Sequence, residues 1–202
     1  MFGLILKDIK NVRGQMLYYL VVLVVFTVVA IVSDNIYYYV GAIVFFLVAL
    51  PVSAMAYDEK DNWDKFALAS GMSRKQLVVA RYLFSLLFYV PLWAISFIFL
   101  AVPGDLAAME TLAIIFFYGG MGFFTADVLL PLVFKMGVEK ARITFIVMIV
   151  LVVAVGAGLA FLFNLETGNA VLYVSVAVFA LGAICFPVSM KVSENIYKRK
   201  DF

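Results

Sequence analysis

Polar residues in this chain come in short clusters, and between the clusters lie long stretches with almost none. Six such stretches are present: Met16–Val32, Ile36–Ala56, Tyr82–Val102, Thr111–Phe134, Ile143–Phe163 and Ala170–Met190. A membrane-spanning helix needs ~20 mostly apolar residues, with a range of about 17–25. Strands of a transmembrane barrel would instead alternate apolar and polar over ~10 residues. These runs are apolar all round, so the pattern predicts an all-α integral membrane fold with six transmembrane helices. The connections, such as Ser33–Asn35 and Asn164–Asn169, are too short to hold a soluble domain. Residues 1–202 are therefore expected to form a single transmembrane domain.

Composition agrees. The 202 residues are 66% hydrophobic and 14% charged, with a mean hydropathy of +1.11. Ordinary soluble domains are roughly 45–50% apolar and ~25% charged. A chain of this size leaves ~25–30% of its unfolded surface exposed after folding, and here that surface would be greasy. A soluble fold is excluded. Histidine is absent, which removes Ser-His hydrolysis, histidine-ligated zinc and haem ligation. The single cysteine, Cys185, excludes an intrachain disulfide and a cysteine-ligated cluster.

The net charge is only +2, but its distribution is one-sided. With the N-terminus inside, all 15 Lys and Arg fall on cytoplasmic segments. The outer connections hold Asp34, Asp105, Glu110 and Glu166 and no base. Both termini are thus expected to be cytoplasmic. A cleaved signal peptide over residues 1–33 is disfavoured, because the run is long and no A-x-A site follows it.

Two segments of the inner face are patterned. Over residues 2–16, Phe2, Ile5, Leu6, Ile9, Val12 and Met16 form one stripe, with Lys7, Lys10, Asn11 and Gly14 opposite. This predicts an amphipathic interfacial helix over 2–14, ahead of the first span. In the second loop, Asp58 is placed to cap a helix whose first turn holds Glu59 and Asp61. Gly71 is placed to stop it. Ser73-Arg-Lys-Gln76 has the form of a capping box that restarts the chain as the third spanning helix. The predicted helix over 58–70, about three turns long at ~3.6 residues per turn, carries Trp63, Phe66, Ala67 and Ser70 on one side. Asp61, Asp64 and Lys65 lie on the other. Such a helix either presents charge to a partner or merely anchors at headgroup depth; the residues alone leave both open.

Asp127 is the ionisable residue well inside a run. It lies ~12 Å from the boundary at Lys135, and Arg81 lies ~9 Å past Lys75, at ~1.5 Å per residue. Matched depth and opposite charge predict an intramembrane pair, Arg81 with Asp127, within a subunit or across a dimer. A role in lining a wet path, or a snorkelling or protonated Asp127, are the alternatives. Ser53, Ser85, Ser96 and Thr125 are expected to bond to helix backbone, not to act as nucleophiles. Small residues (Ala154, Gly156, Gly158 and Ala160; Gly119, Gly120 and Gly122) predict close helix approach. Pro51, Pro91, Pro131 and Pro187 mark possible bends. Tyr37, Tyr38 and Tyr39 are expected to form an outer aromatic belt.

The segments Tyr57-Asp-Glu-Lys60, Trp63-Asp-Lys-Phe-Ala-Leu68, Ser73-Arg-Lys-Gln76 and Arg81-Tyr-Leu83 resemble the inner loop of small ABC-2 type transporter permeases. Leu130 to Arg142 resembles their second inner loop, and Leu4-Ile-Leu-Lys-Asp8 their opening. The chain is also similar to permeases of phenol-soluble-modulin exporters. Gly71 stands where the family often has proline. The resemblance implies a dimer, of two copies or of one copy with a paralogue, driven by a separate cytoplasmic ABC ATPase. It implies that residues 58–70 are the helix that docks on that ATPase, with Asp58, Glu59, Asp61, Trp63, Asp64, Phe66 and Ser70 as its coupling residues. Residues 2–14 would be the elbow helix beside it.

The chain has no G-x-x-x-x-G-K-[ST] loop. ATP and Mg are therefore expected on the partner, with no cofactor or metal on this chain and no enzymatic activity of its own. The expected function is export of an amphipathic or hydrophobic substrate, such as a peptide, across a bacterial plasma membrane. Lipid surrounds the protein in this reading, and nucleic acid plays no part. The alternative is a non-transporting assembly or immunity protein that only binds a partner.

Overall fold

The computed structural model describes residues 2–101, 108–147 and 169–200. Among these residues the protein is all-helical. The elements are α1 (Phe2–Val32), α2 (Tyr37–Lys60), α3 (Trp63–Ala69) and α4 (Arg74–Ile95), which continues as a 3-10 helix over Ser96–Ala101. Then come α5 (Ala108–Met136), α6 over residues 138–147, and α7 (Asn169–Lys198). Five of them, α1, α2, α4, α5 and α7, are long and apolar enough to cross a membrane. They carry the first four expected spans and the sixth. Most of the expected fifth span, including Ala154, Gly156, Gly158 and Ala160, lies outside the described residues.

Helix α2 is the centre of the bundle. Of its most apolar stretch 71% is buried, against 11% for α1 and 17% for α7. An apolar stretch left uncovered by its own chain is what a helix facing lipid or another membrane protein requires. Around α2, residues Val40, Ile43, Leu47 and Val52 join Tyr82 and Tyr89 of α4 and Ile115, Leu129 and Leu130 of α5 in one core.

The expected separation of an interfacial helix over 2–14 from a span beginning at Met16 is not what forms. α1 is one uninterrupted helix of 31 residues. Gly14 alone costs only about 1 kcal/mol in a helix interior and no proline intervenes. At ~1.5 Å per residue α1 is ~46 Å long, well beyond a hydrocarbon core of ~30 Å, so its amphipathic end projects past the apolar layer. The inward face also differs from the expected stripe. Leu4, Asp8 and Val12 are buried, while Phe2 and Leu6 are exposed. An acid, not the greasiest residue, sits at the centre of the buried face.

The pairing of α5 with α7 depends on glycine. A Cβ at Gly120 would lie 2.7 Å from the Phe179 backbone nitrogen, and one at Gly182 would lie 3.0 Å from the Gly120 carbonyl. The two backbones touch, which is the close approach small residues permit. Trp93 of α4 stacks on Phe179 of α7 at 4.7 Å, closing the groove. Pro51, Pro91, Pro131 and Pro187 all lie inside continuous helices. The aromatic belt is two residues wide rather than three. Tyr37 and Tyr38 are exposed, but Tyr39 is buried and its hydroxyl donates to the Leu92 carbonyl at 3.1 Å. That carbonyl lies where α4 tightens into its 3-10 segment.

Replacing Gly120 by Ala drives a Cβ into backbone that cannot yield. The expected loss is about 1–3 kcal/mol, as for overpacking of a close-packed interior. Gly14→Ala meets nothing within 4 Å and is expected to be neutral or to stabilise by up to ~1 kcal/mol. Thermal unfolding of the two variants in detergent separates them.

Candidate functional site

Among the described residues, the salt bridges gather where the N-terminal ends of α1 and α4 meet the C-terminal end of α2. Arg81 of α4 reaches between two helices. Its Nη1 lies 2.5 Å from Asp8 Oδ2 of α1, and its Nη2 donates to Asp58 Oδ2 of α2. Lys7 joins from the rim, at 2.5 Å from Asp58 Oδ2 and 3.1 Å from Asp8 Oδ1. Asn11 donates to the other Asp58 oxygen at 3.2 Å. The side chains of Asp8, Asp58 and Arg81 are 1%, 5% and 8% exposed. Two acids and two bases balance, which is the condition for holding ionised groups away from water.

This cluster explains a departure from the expected helix limits. Asp58 and Glu59 were expected to begin the short helix, because acids favour the positive end of a helix. They instead sit in the last turn of α2, which runs on through Lys60. There Asp58 meets Arg81 and Lys7, and that pairing outweighs an unfavourable dipole of about 0.3–1 kcal/mol.

The break comes at Asn62, whose φ of 53° is left-handed, a conformation asparagine tolerates. The short helix α3 is thus seven residues long, about two turns at ~3.6 residues per turn, shorter than the expected 58–70. Its end is as expected. Gly71 has φ +85°, its N–H donates to Leu68 O, and the Met72 N–H donates to Ala67 O. This is the paired bonding of a Schellman stop. Both bonds of the Ser73–Gln76 capping box are present.

The faces of α3 also differ from the expected wheel. Ala67 is fully buried, and Trp63 is half-buried with Lys7 Nζ 4.6 Å from its ring centre. Asp64 is half-buried and faces the Tyr197 hydroxyl of α7. Phe66, expected on the packed side, is 60% exposed. Asp61, Lys65 and Ser70 are exposed with it. The outward surface of α3 is therefore one aromatic ring among acid, base and hydroxyl.

Two further contacts tie helix ends across the same region. Glu59 Oε2 accepts from the Val138 N–H at 2.8 Å, capping the start of α6 from another helix. Gly137 has φ +84°, which favours glycine, and a Cβ there would lie 2.6 Å from the other Glu59 oxygen and push that carboxylate off its cap. Arg74 Nη1 donates to the carbonyls of Tyr197 and Lys198, at 3.0 and 2.5 Å, closing the end of α7. A cavity of 260 Å³ opens among these groups, bounded by Asp58, Glu59, Asp64, Arg81, Gly137 and Tyr197.

Within this chain the structure does not bring Arg81 and Asp127 together. Arg81 is committed to Asp8 and Asp58, while both Asp127 carboxyl oxygens are buried without a hydrogen-bond partner among the described residues. Matched depth and opposite charge suggested the pair. Asp8 was missed as the partner of Arg81, and Lys7 as a member of the cluster, because they lie 73 and 74 positions away in sequence from Arg81. Their only local signal is an acid at the centre of a Leu4-Asp8-Val12 stripe.

Arg81→Leu leaves two buried carboxylates sharing the single charge of Lys7, and breaking a buried pair from one side costs about 3–5 kcal/mol. Asp127→Asn removes no partnered charge and is expected to stay within about 1 kcal/mol. Thermal unfolding and expression level of the two variants, side by side, check this ordering.

No curated protein and no solved structure matches the chain. Residues 3–198 match the family described as ABC-2 family transporter protein. That match covers nearly the whole chain, from the Leu4–Asp8 face of α1 to the end of α7. The chain is a multi-pass membrane protein, and it belongs to the ABC-2 transporter family.

Proposed function

We propose that this chain is the permease subunit of an ABC exporter, with α3 as the element on which a separate cytoplasmic ATPase docks. The observation that carries this reading is the construction of α3. Its inner side is locked, through Ala67, Trp63 and the Lys7 contact, onto the helix ends that hold Asp8, Asp58 and Arg81. Its outer side presents Phe66 with Asp61, Lys65 and Ser70. A short helix held firmly from behind passes on a displacement; a loosely hung one absorbs it.

The roles of the expected coupling residues then divide. Asp58 and Glu59 carry motion inward, to α1 and α4 and to α6 respectively. Trp63 and Asp64 seat the helix, and Asp61, Phe66 and Ser70 meet the ATPase. ATP and Mg belong to that partner, in keeping with the missing phosphate loop. Two permease subunits, identical or paralogous, would frame the path. The uncovered apolar faces of α1 and α7 support a partner subunit or lipid against them, and an amphipathic or hydrophobic cargo, such as a peptide, suits such surroundings.

The test is co-purification. Expressed with its neighbouring genes, the detergent-solubilised protein is expected to bring down an ABC ATPase and to alter that ATPase's hydrolysis rate. Phe66→Asp combined with Asp61→Lys is expected to lower ATPase recovery at least tenfold, with thermal unfolding unchanged, since both side chains are exposed. A truncated hot spot of ~1.4 kcal/mol or more gives that factor. Undiminished recovery removes α3 as the docking element. Absence of any bound ATPase favours the alternative of a non-transporting partner-binding protein.

A further inference from the structure

We propose that Lys7 is a coupling residue that ties the seating of α3 to the closure of α1 against α2 at their inner ends. Helix α1 is held to the bundle at two places. Of its buried residues, Leu4, Asp8, Val12 and Tyr19 lie toward the inner end, and Ala30 lies beside the turn to α2. At that turn the Asn35 N–H donates to the Ala30 carbonyl at 2.9 Å, and Asn35 Oδ1 accepts from the Tyr37 N–H at 3.0 Å. The outer ends of α1 and α2 are therefore joined by a short, bonded turn. Their inner ends have no covalent link to each other and stay together only through side-chain contacts.

Those contacts are a polar ladder with an apolar backing. Lys7, Asn11, Gln15 and Tyr19 recur at four-residue spacing, which makes one stripe of α1, and each bonds to α2. Lys7 Nζ lies 2.5 Å from Asp58 Oδ2, and Asn11 donates to Asp58 Oδ1 at 3.2 Å. Gln15 donates to the Tyr57 hydroxyl at 3.2 Å, and the Tyr19 and Ser53 hydroxyls are 2.8 Å apart. Behind the stripe, Val12 and Tyr19 pack with Phe46, Leu50 and Ala54 of α2. Polar contacts hold two helices together while both partners are sheltered. Once water reaches them, it competes with the protein donors on nearly equal terms.

Lys7 is where this stripe meets α3. Its Nζ lies 4.6 Å from the centre of the Trp63 ring, and its side chain is 19% exposed, against 1% for Asp8 and 5% for Asp58. The ring shelters the ammonium and adds a cation–π attraction. With Lys7 in place, Asp8 and Asp58 are balanced by Lys7 and Arg81; without it, two buried acids share Arg81 alone. Moving α3 off the bundle takes the ring from Lys7 and opens its ammonium to water. Its hold on Asp58 weakens, and the inner end of α1 moves off α2 while Arg81 still tethers it to α4. The coupling is reciprocal, so an opened α1 weakens the seat of α3 equally. What moves α3 in the membrane rests on its reading as the docking element; the link from α3 to α1 rests on these contacts alone.

The test is the distance between spin labels at Arg13→Cys on α1 and Lys60→Cys on α2, both exposed positions, in a Cys185→Ser background. It is read by pulsed electron resonance on the full chain in phospholipid nanodiscs, diluted with unlabelled chain and without ATPase. The parent chain is expected to give one main distance. Lys7→Met and Trp63→Ala are each expected to raise a longer-distance population several-fold. The double variant is expected to go no further than the larger single change, as for two residues in one contact. Trp63→Phe keeps a ring beneath the charge and is expected to stay closed, since Trp63 Nε1 has no hydrogen-bond partner among the described residues to lose. A closed Lys7→Met, a closed Trp63→Ala, effects that add in the double variant, or a Trp63→Phe as open as Trp63→Ala overturns the link. If Lys7→Met does not fold, the contrast between Trp63→Ala and Trp63→Phe carries the test alone. Failure to co-purify an ATPase removes docking at α3 and leaves these distances to decide the link by themselves.

Discussion

Three buried charges and a fourth at their rim organise this molecule. Lys7, Asp8, Asp58 and Arg81 come from three helices, and each is affordable in its place only because the others are there. Two acids and two bases leave no net charge to solvate, and Asn11 supplies a further donor to Asp58. The constraint is geometric as well as electrostatic. A guanidinium that spans two carboxylates fixes the relative height of α1, α2 and α4, because a slip of one turn would strand an ionised group. The extension of α2 to Lys60 follows from it, since it carries Asp58 to Arg81 and Lys7. So does the seating of α3, through Lys7 under Trp63.

The other helix ends in the region are joined by single charged groups that satisfy backbone. Glu59 caps α6 and Arg74 closes α7, each from a different helix. In an ordinary soluble protein a cap is local to its own helix. Here the caps are exchanged between helices, so that the ends of α2 and α6, and of α4 and α7, are positioned by one another. Deeper in the bundle the logic changes from charge to shape. Gly120 and Gly182 let backbones touch, aromatic rings fill the grooves, and hydroxyls take the carbonyls left over. The carbonyl freed by Pro131 and met by Ser189 shows both at once: a local defect in α5 becomes a specific bond to α7.

The features legible from the chain are those decided by neighbours in sequence. The apolar runs mark the helices, because backbone in lipid must satisfy itself. The Ser73–Gln76 box and the Gly71 stop were legible for the same reason: both their partners lie within a few residues. Asp58 was misplaced by one helix because a dipole rule is local, whereas its real partners are Lys7 and Arg81. Tyr39 was read as part of a surface belt, since nothing near it announces a carbonyl at Leu92. Phe66 was read as packed because a wheel cannot say which side of a short helix the bundle occupies; Ala67, smaller and apolar, took the inner position.

By itself, then, the amino-acid order determined that the protein lives in a membrane, which runs are helical, where the short helix stops, and which family motifs it carries. Those depend on hydrophobic length, on turn chemistry and on contacts within one helical turn. Tertiary structure decided which charges are partners, which face of α1 and of α3 turns inward, and which carboxyl is left alone. The reason is that a buried charge chooses its partner by desolvation across the whole bundle. Asp127 matched Arg81 in depth, but only assembly of α1, α2 and α4 selected Asp8 and Asp58 and left Asp127 without it.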